Sequence, residues 1–222
     1  PDLLRVNALQ ARVSGAAPLA SIDVRQAFGW VLKTGELKVA DPARELVSIS
    51  LEGVPLPWAQ PYLEGVVVEG GDARGSFLVR AAGGGYAIRP QVPLTLSPFS
   101  LSKDGKAILR NVGLTVSASA DVTPDAWQAE VTELVAREGA TTLWSLNVKA
   151  GQAGGAKQPL KATGRLSVDL PSVLTQPVVN GAAVLSRGTL RGDFTASLGA
   201  TQEHAAKLVV WDLVSGVEER FP

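Results

Sequence analysis

The feature that most constrains this chain is a period of two. From Ile108 the even positions read Ile108, Arg110, Val112, Leu114, Val116, Ala118, Ala120 and Val122. The odd positions between them are mostly small or polar: Asn111, Gly113, Thr115, Ser117, Ser119 and Asp121. Successive side chains of a strand point to opposite faces, so this alternation predicts one long strand with an apolar and a polar side. Only Arg110 and Leu109 break the pattern. It returns at Trp144, Leu146, Val148 and Ala150, separated by Ser145, Asn147 and Lys149. Leu160, Ala162, Gly164, Leu166, Val168 and Leu170 repeat it, as do Leu190, Gly192, Phe194, Ala196 and Leu198. The stretch from Trp127 changes phase, with Trp127, Ala129 and Val131 on one parity and Leu134 and Ala136 on the other. A β-bulge near Thr132-Glu133 would restore a common face.

Turn signals separate these stretches: Gly83-Gly84-Gly85, Asp104-Gly105, Glu138-Gly139, Gly151 to Gly155 and Ser186-Arg187-Gly188. Helical periodicity is scarce. Pro57 to Leu63 and Pro171 to Gln176 read as short helices, each opened by a proline that suits a first turn. In the less regular first third, Leu3 to Val13, Leu19 to Val24, Gly35 to Val39 and Leu46 to Leu51 read as further strands. The expected fold is all-β, a long antiparallel curved sheet or a β-sandwich. Strands of ~12 to 15 residues would be ~40 to 50 Å long at about 3.3 Å per residue.

Two segments resemble each other. Val54-Pro55-Leu56-Pro57-Trp58-Ala59-Gln60-Pro61 is followed by Gly65 and Arg74-Gly75-Ser76-Phe77. Leu170-Pro171-Ser172-Val173-Leu174-Thr175-Gln176-Pro177 is followed by Gly181 and Arg191-Gly192-Asp193-Phe194. The Gln-Pro pairs stand 116 residues apart and the Arg-Gly pairs 117, so one residue is inserted between them. Self-similarity of this kind points to a repeat architecture. Residues 1–222 are thus read as one β-rich unit of strand, short helix and hairpin, with related repeats at about 45–82 and 162–198. A chain that opens at Pro1 and has no methionine reads as part of a longer protein or as a mature form.

Composition narrows the function by exclusion. Lysines and arginines number 21 and so do the acids, and this balance argues against nucleic acid as a partner, which needs clustered basic residues. With no cysteine, a disulfide framework, a thiolate metal site and a cysteine nucleophile are all excluded. The single histidine, His204, lies in the polar run Thr201-Gln202-Glu203-His204 and reads as a solvated loop residue. Asp23, Asp41, Asp72, Asp169 and Asp193 are scattered singly, and a carboxylate pair for hydrolysis would have to be assembled by the fold. Gly83-Gly84-Gly85 lacks the Lys-Ser/Thr of a phosphate loop. Of five tryptophans, Trp127 and Trp144 fall on the apolar parity, as core or groove lining would. No apolar run reaches about 18 residues, so no transmembrane segment is expected, and no signal peptide is visible. The expectation is a protein that is no enzyme and binds no cofactor or metal.

The block Leu51-Glu52-Gly53-Val54-Pro55-Leu56-Pro57-Trp58-Ala59-Gln60-Pro61-Tyr62-Leu63, with the hairpin ending in Gly75-Ser76-Phe77-Leu78-Val79, resembles repeat units of the AsmA-like bacterial envelope proteins, the TamB and YdbH groups among them. The second copy fits better, with Gly164-Arg165-Leu166, Gln176-Pro177 and Gly188-Thr189-Leu190-Arg191-Gly192-Asp193-Phe194. The likeness covers roughly residues 45 to 200. It implies a gutter-shaped sheet whose apolar face shelters phospholipid acyl chains, in a periplasmic protein anchored in the inner membrane of a Gram-negative bacterium. Phospholipid transport or outer-membrane maintenance would be its task, and neighbouring repeats of the parent chain would continue the sheet. The lining, of groove or of core, would be Val112, Leu114, Val116, Ala118, Trp144, Leu146, Val148, Leu166, Val168, Leu190 and Phe194. Head groups would meet Arg110, Lys149 or Arg191 at the solvent edge. The residues leave two other readings open, a structural or adhesive domain and a carbohydrate-binding β-sandwich.

Overall fold

The computed structural model describes residues 2–154, 158–179, 185–199 and 204–216; in the last span the side chains described are those of Lys207, Val209 and Val210. In chain order the strands are β1 Leu3–Val6, β2 Gln10–Ser14, β3 Pro18–Val24, β4 Phe28–Val31, β5 Leu37–Val39 and β6 Glu45–Pro55. A 3₁₀ helix, Leu56–Tyr62, leads to β7 Val66–Gly70, β8 Asp72–Ala82, β9 Gly85–Lys103 and β10 Lys106–Val122. Then come β11 Ala126–Glu138, β12 Thr141–Ala153, β13 Leu160–Asp169, α1 Leu170–Leu174, β14 Arg187–Leu198 and β15 His204–Gly216. Strand makes up 71% and helix 6%, so the protein is all-β.

Twelve strands form one open antiparallel sheet, ordered β15-β14-β13-β12-β11-β10-β9-β8-β6-β3-β2, with β7 paired to β9. From β8 onward the spatial order follows the chain, with tight turns joining β8 to β9, β9 to β10 and β11 to β12, and α1 standing between β13 and β14. At the β9–β10 turn, Asp104 and Gly105 take φ of 50° and 76°, the left-handed pair a two-residue hairpin needs. A second, three-stranded sheet is ordered β1-β4-β5. It meets the large one through a Trp30–Tyr86 ring contact at 5.8 Å and the Leu37 N–H donated to the Gly84 carbonyl.

The bulge forms where the phase change predicts it. Ser117 pairs with Glu133 and Ala118 with Val131, so Thr132 is the extra residue and Leu134 returns to the face of Val131. Other expectations need correction. Leu3 to Val13 is not one strand, since β1 pairs with β4 and β2 with β3 in a different sheet. The sandwich alternative also fails, because no second sheet packs on β10–β14 among the described residues. Sequence reading missed β9, the longest strand, which holds Pro90, Pro93 and Pro98 although it is central. Proline lacks the N–H of a regular ladder and is placed at bulges. Here β9 slips against β10 between the Val116↔Leu94 and Ala120↔Ile88 pairs, and again between Val112↔Phe99 and Leu114↔Leu96, which is where the prolines sit.

The small core lies at one end of the long strands. Val112, Ala136 and Leu143 are 1%, 0% and 1% exposed, and Leu109, Leu114, Trp144 and Val173 pack against them. Val173 belongs to α1, which rests on β12, β13 and β14. Asp169 ends β13 and caps α1, its carboxylate accepting the Ser172 N–H at 3.2 Å. Just past α1, Gln176 is 2% exposed; its Oε1 accepts the Arg110 N–H at 2.9 Å and its Nε2 donates to Glu138 Oε2 at 2.9 Å.

Candidate functional site

Residues directly opposite across an antiparallel pair share a face, so the registers show which side chains meet. One rung runs Val24, Val47, Val79, Ile88, Ala120, Ala129, Ala150, Ala162 and Ala196, crossing nine strands from β3 to β14. A second runs Val54, Ala73, Leu96, Leu114, Ala136, Trp144, Val168 and Leu190. Between them lies Leu94, Val116, Leu134, Leu146, Leu166, Gly192 and Val210. No polar residue interrupts any of the three.

This places the predicted lining residues. Leu114, Trp144, Val168 and Leu190 share one rung, Val116, Leu146 and Leu166 the next. Ala118 and Val148 join a further one, opposite Val131, in which Val148 faces Gly164 and Gly164 faces Phe194. All ten are half-buried. They pack on their neighbours along the sheet, and α1 rests on the long strands at the Leu114–Leu190 end. Val112 differs: it is part of the closed core. Phe194 lies over the backbone where β13 carries Gly164; a Cβ there would come within 2.6 Å of the ring.

The opposite face is charged. Ion pairs join Arg25 to Asp23, Arg74 to Asp72, Arg80 to Glu45, Arg89 to Asp121, Lys149 to Glu130 and Arg165 to Asp193. Each sits on the polar parity and is exposed enough that solvent screens it. The Arg74 guanidinium, hydrogen-bonded to the Asp72 carboxylate, holds that carboxyl below the usual carboxylate value. Lys149 and Arg191 belong to this polar face, opposite Thr163 and Ser167, so they do not border the apolar rungs as a head-group contact would require. Arg110 stands exposed beside the α1 end.

The carboxylates that sequence reading weighed for hydrolysis are engaged singly. Asp23, Asp72 and Asp193 each hold an arginine, Asp169 caps α1, and Asp41 accepts the Ala43 N–H at 2.9 Å. No group of three or more His, Asp or Glu gathers among the described residues. His204 opens β15, but its side chain and Thr201 to Glu203 lie outside the described residues, as do Gly155 and Gly181. Trp127 is on the apolar parity, opposite Val122, and donates its Nε1–H to Gln152 Oε1 at 3.3 Å.

The two similar segments place matching residues alike. Gly75 lies opposite Leu51 and Phe77 opposite Ile49, just as Gly192 lies opposite Leu166 and Phe194 opposite Gly164. Their glutamines both bind strand backbone. Gln60 accepts the Val68 N–H at 3.0 Å and donates to the Val66 carbonyl, while Gln176 takes the Arg110 N–H. Sequence reading missed the Val24–Val47–Val79–Ile88 part of the first rung; its signal was the even spacing of Val47, Ile49 and Leu51 and of Phe77 and Val79.

An all-β protein built on a long open sheet with one apolar and one charged face is the class these observations define. No family model matches the sequence, and no curated protein or solved structure matches it either. No helix among the described residues is long and apolar enough to cross a membrane.

Proposed function

We propose that this chain is a non-enzymatic segment of a periplasmic, AsmA-like envelope protein, anchored in the inner membrane through its parent. Its apolar sheet face would carry phospholipid acyl chains for transport or for upkeep of the outer membrane. What supports this is one observation: three unbroken apolar rungs cross seven to nine strands, and among the described residues no second sheet covers them between β10 and β14, α1 meeting them at the Leu114–Leu190 end. Soluble proteins seldom leave so wide an apolar surface without a partner. Aliphatic contact without polar capture lets an acyl chain slide from rung to rung. Catalytic groups have no part in that task. The open ends at β2 and β15 would pair with neighbouring repeats of the parent, since unpaired edges otherwise recruit strands.

A photo-crosslinking residue at Val116 or Leu146, in the full-length parent expressed in cells, tests the reading. Phospholipid adducts are expected there and not at Ser117 or Asn147, one residue along on the polar face. Adducts at the polar pair alone would refute the trough. A lipid-free result at every position would favour the structural domain, in which the free edges make the contacts.

A further inference from the structure

We propose that β2 pairs antiparallel with β2 of a second copy of this chain, so that Gln10 faces the partner's Arg12 and Ala11 faces the partner's Ala11. This pairing rests on the open edge and not on the lipid reading: β15 is left to a neighbouring repeat, and at β2 the neighbour is the same unit of another copy.

β2 lies at the end of the large sheet and pairs with β3. Its other side is open, and every residue from Asn7 to Pro18 is exposed. The Val24 N–H donates to the Leu9 carbonyl at 2.9 Å, in the register that sets Gln10 against Asp23 and Ala11 against Ile22. Opposed pairs of an antiparallel ladder alternate between exchanging two hydrogen bonds and exchanging none. Leu9, Ala11 and Val13 therefore turn their backbone groups to β3, while Gln10 and Arg12 turn two N–H groups and two carbonyls outward. Those four groups complement themselves. With Gln10 set against the partner's Arg12, a two-fold axis at Ala11 satisfies all four in each copy.

The side chains select this register. Leu9, Ala11 and Val13 stand opposite Val24, Ile22 and Ala20, so they continue the apolar face to its rim. Leu9 and Val13 are left 51% and 45% exposed, with no strand beyond them among the described residues. The pairing seats Leu9 against the partner's Val13 and joins the apolar faces of the two copies. A slip of two residues one way would set Arg12 against the partner's Arg12, and like charges directly opposed are destabilising. The same slip the other way would set Val13 against the partner's Asn7. β2 also lacks devices that blunt an edge, having no proline and no charge on its apolar side.

Sedimentation of the 222-residue chain tests the pairing. A dimer is expected, and Arg12→Pro should leave a monomer, because it removes an outward N–H and spares the bonds between β2 and β3. Circular dichroism checks that this variant is folded; if it is not, cysteine linking decides alone. The chain has no cysteine, so single cysteines report the register. Under mild oxidation Ala11→Cys should form a linked dimer about tenfold faster than Arg12→Cys, or more. Opposed Cα atoms of a pair that exchanges no hydrogen bonds stand about 4.5 Å apart, within disulfide range, whereas Arg12 is two residues out of step with its copy. A monomer at every concentration overturns the proposal, as does a dimer unchanged by a folded Arg12→Pro variant or equal linking at the two positions. Growth into long assemblies overturns it too, since that marks β15 of one copy seated on β2 of the next.

Discussion

A side-chain amide can stand in for a strand. Gln60 both accepts from and donates to the backbone of β7, and Gln176 receives an N–H of β10 that no strand takes. In this way the two Gln-Pro pairs satisfy backbone groups that would be costly to leave unpaired near the core. Gln176 is the more consequential, because it is buried and also donates to Glu138. Gln176→Leu should lower stability by about 1–3 kcal/mol in urea unfolding, the cost of stranding the Arg110 N–H and the Glu138 carboxylate. Gln176→Glu sets two carboxylates side by side, which raises their folded pKa values. Its deficit should therefore grow as pH rises through the carboxylate range and shrink below it. A deficit independent of pH would mean that Glu138 is not the partner that matters.

Strand facing depends on single residues that have no partner in the strand register. Thr132 is the extra residue of β11, and without it Leu134 and Ala136 would exchange faces with Glu133 and Val135. Deleting Thr132 should abolish cooperative unfolding or cost several kcal/mol, since one slip moves a whole apolar set to the charged face. Replacing Thr132 by Ser keeps the count and should change stability by less than about 1 kcal/mol, as surface changes do. Equal behaviour of deletion and replacement in thermal unfolding would contradict this role. The prolines of β9 follow the same logic: each coincides with a slip in register, so the strand stays central despite three missing donors.

Across the large sheet the two faces carry opposite chemistry, and the end near α1 is closed into a core around Val112, Ala136 and Leu143. Such a molecule should bind an environment-sensitive apolar dye while folded, because the rung residues away from α1, such as Val116, Leu146 and Leu166, are only half-buried. Leu146→Lys with Leu166→Lys puts charge at the centre of the middle rung and should remove most of that fluorescence. Thr163→Lys, on the other face, should leave it unchanged. Circular dichroism of each variant separates a lost surface from a lost fold. No enhancement by the folded unaltered chain would mean that the face is covered.

The sequence by itself determined that the chain is all-β, which side chains share a face within β10 to β14, and that a bulge lies near Thr132-Glu133. Local alternation suffices for these, because the two-residue period is a property of one strand's backbone. It also showed Gln60 and Gln176 as matching positions without revealing that they bind backbone. What only the tertiary structure decided is how strands align with one another: that Leu146 meets Leu166 and Leu134, that Ala120 to Ala196 form one rung, and that Lys149 and Arg191 fall on the far face. It also decided that the long strands join in one open sheet, where the same alternation would serve a sandwich. The reason is physical. An apolar face requires burial or a partner, but its sequence does not state whether a second sheet, a helix such as α1 or a ligand will meet it.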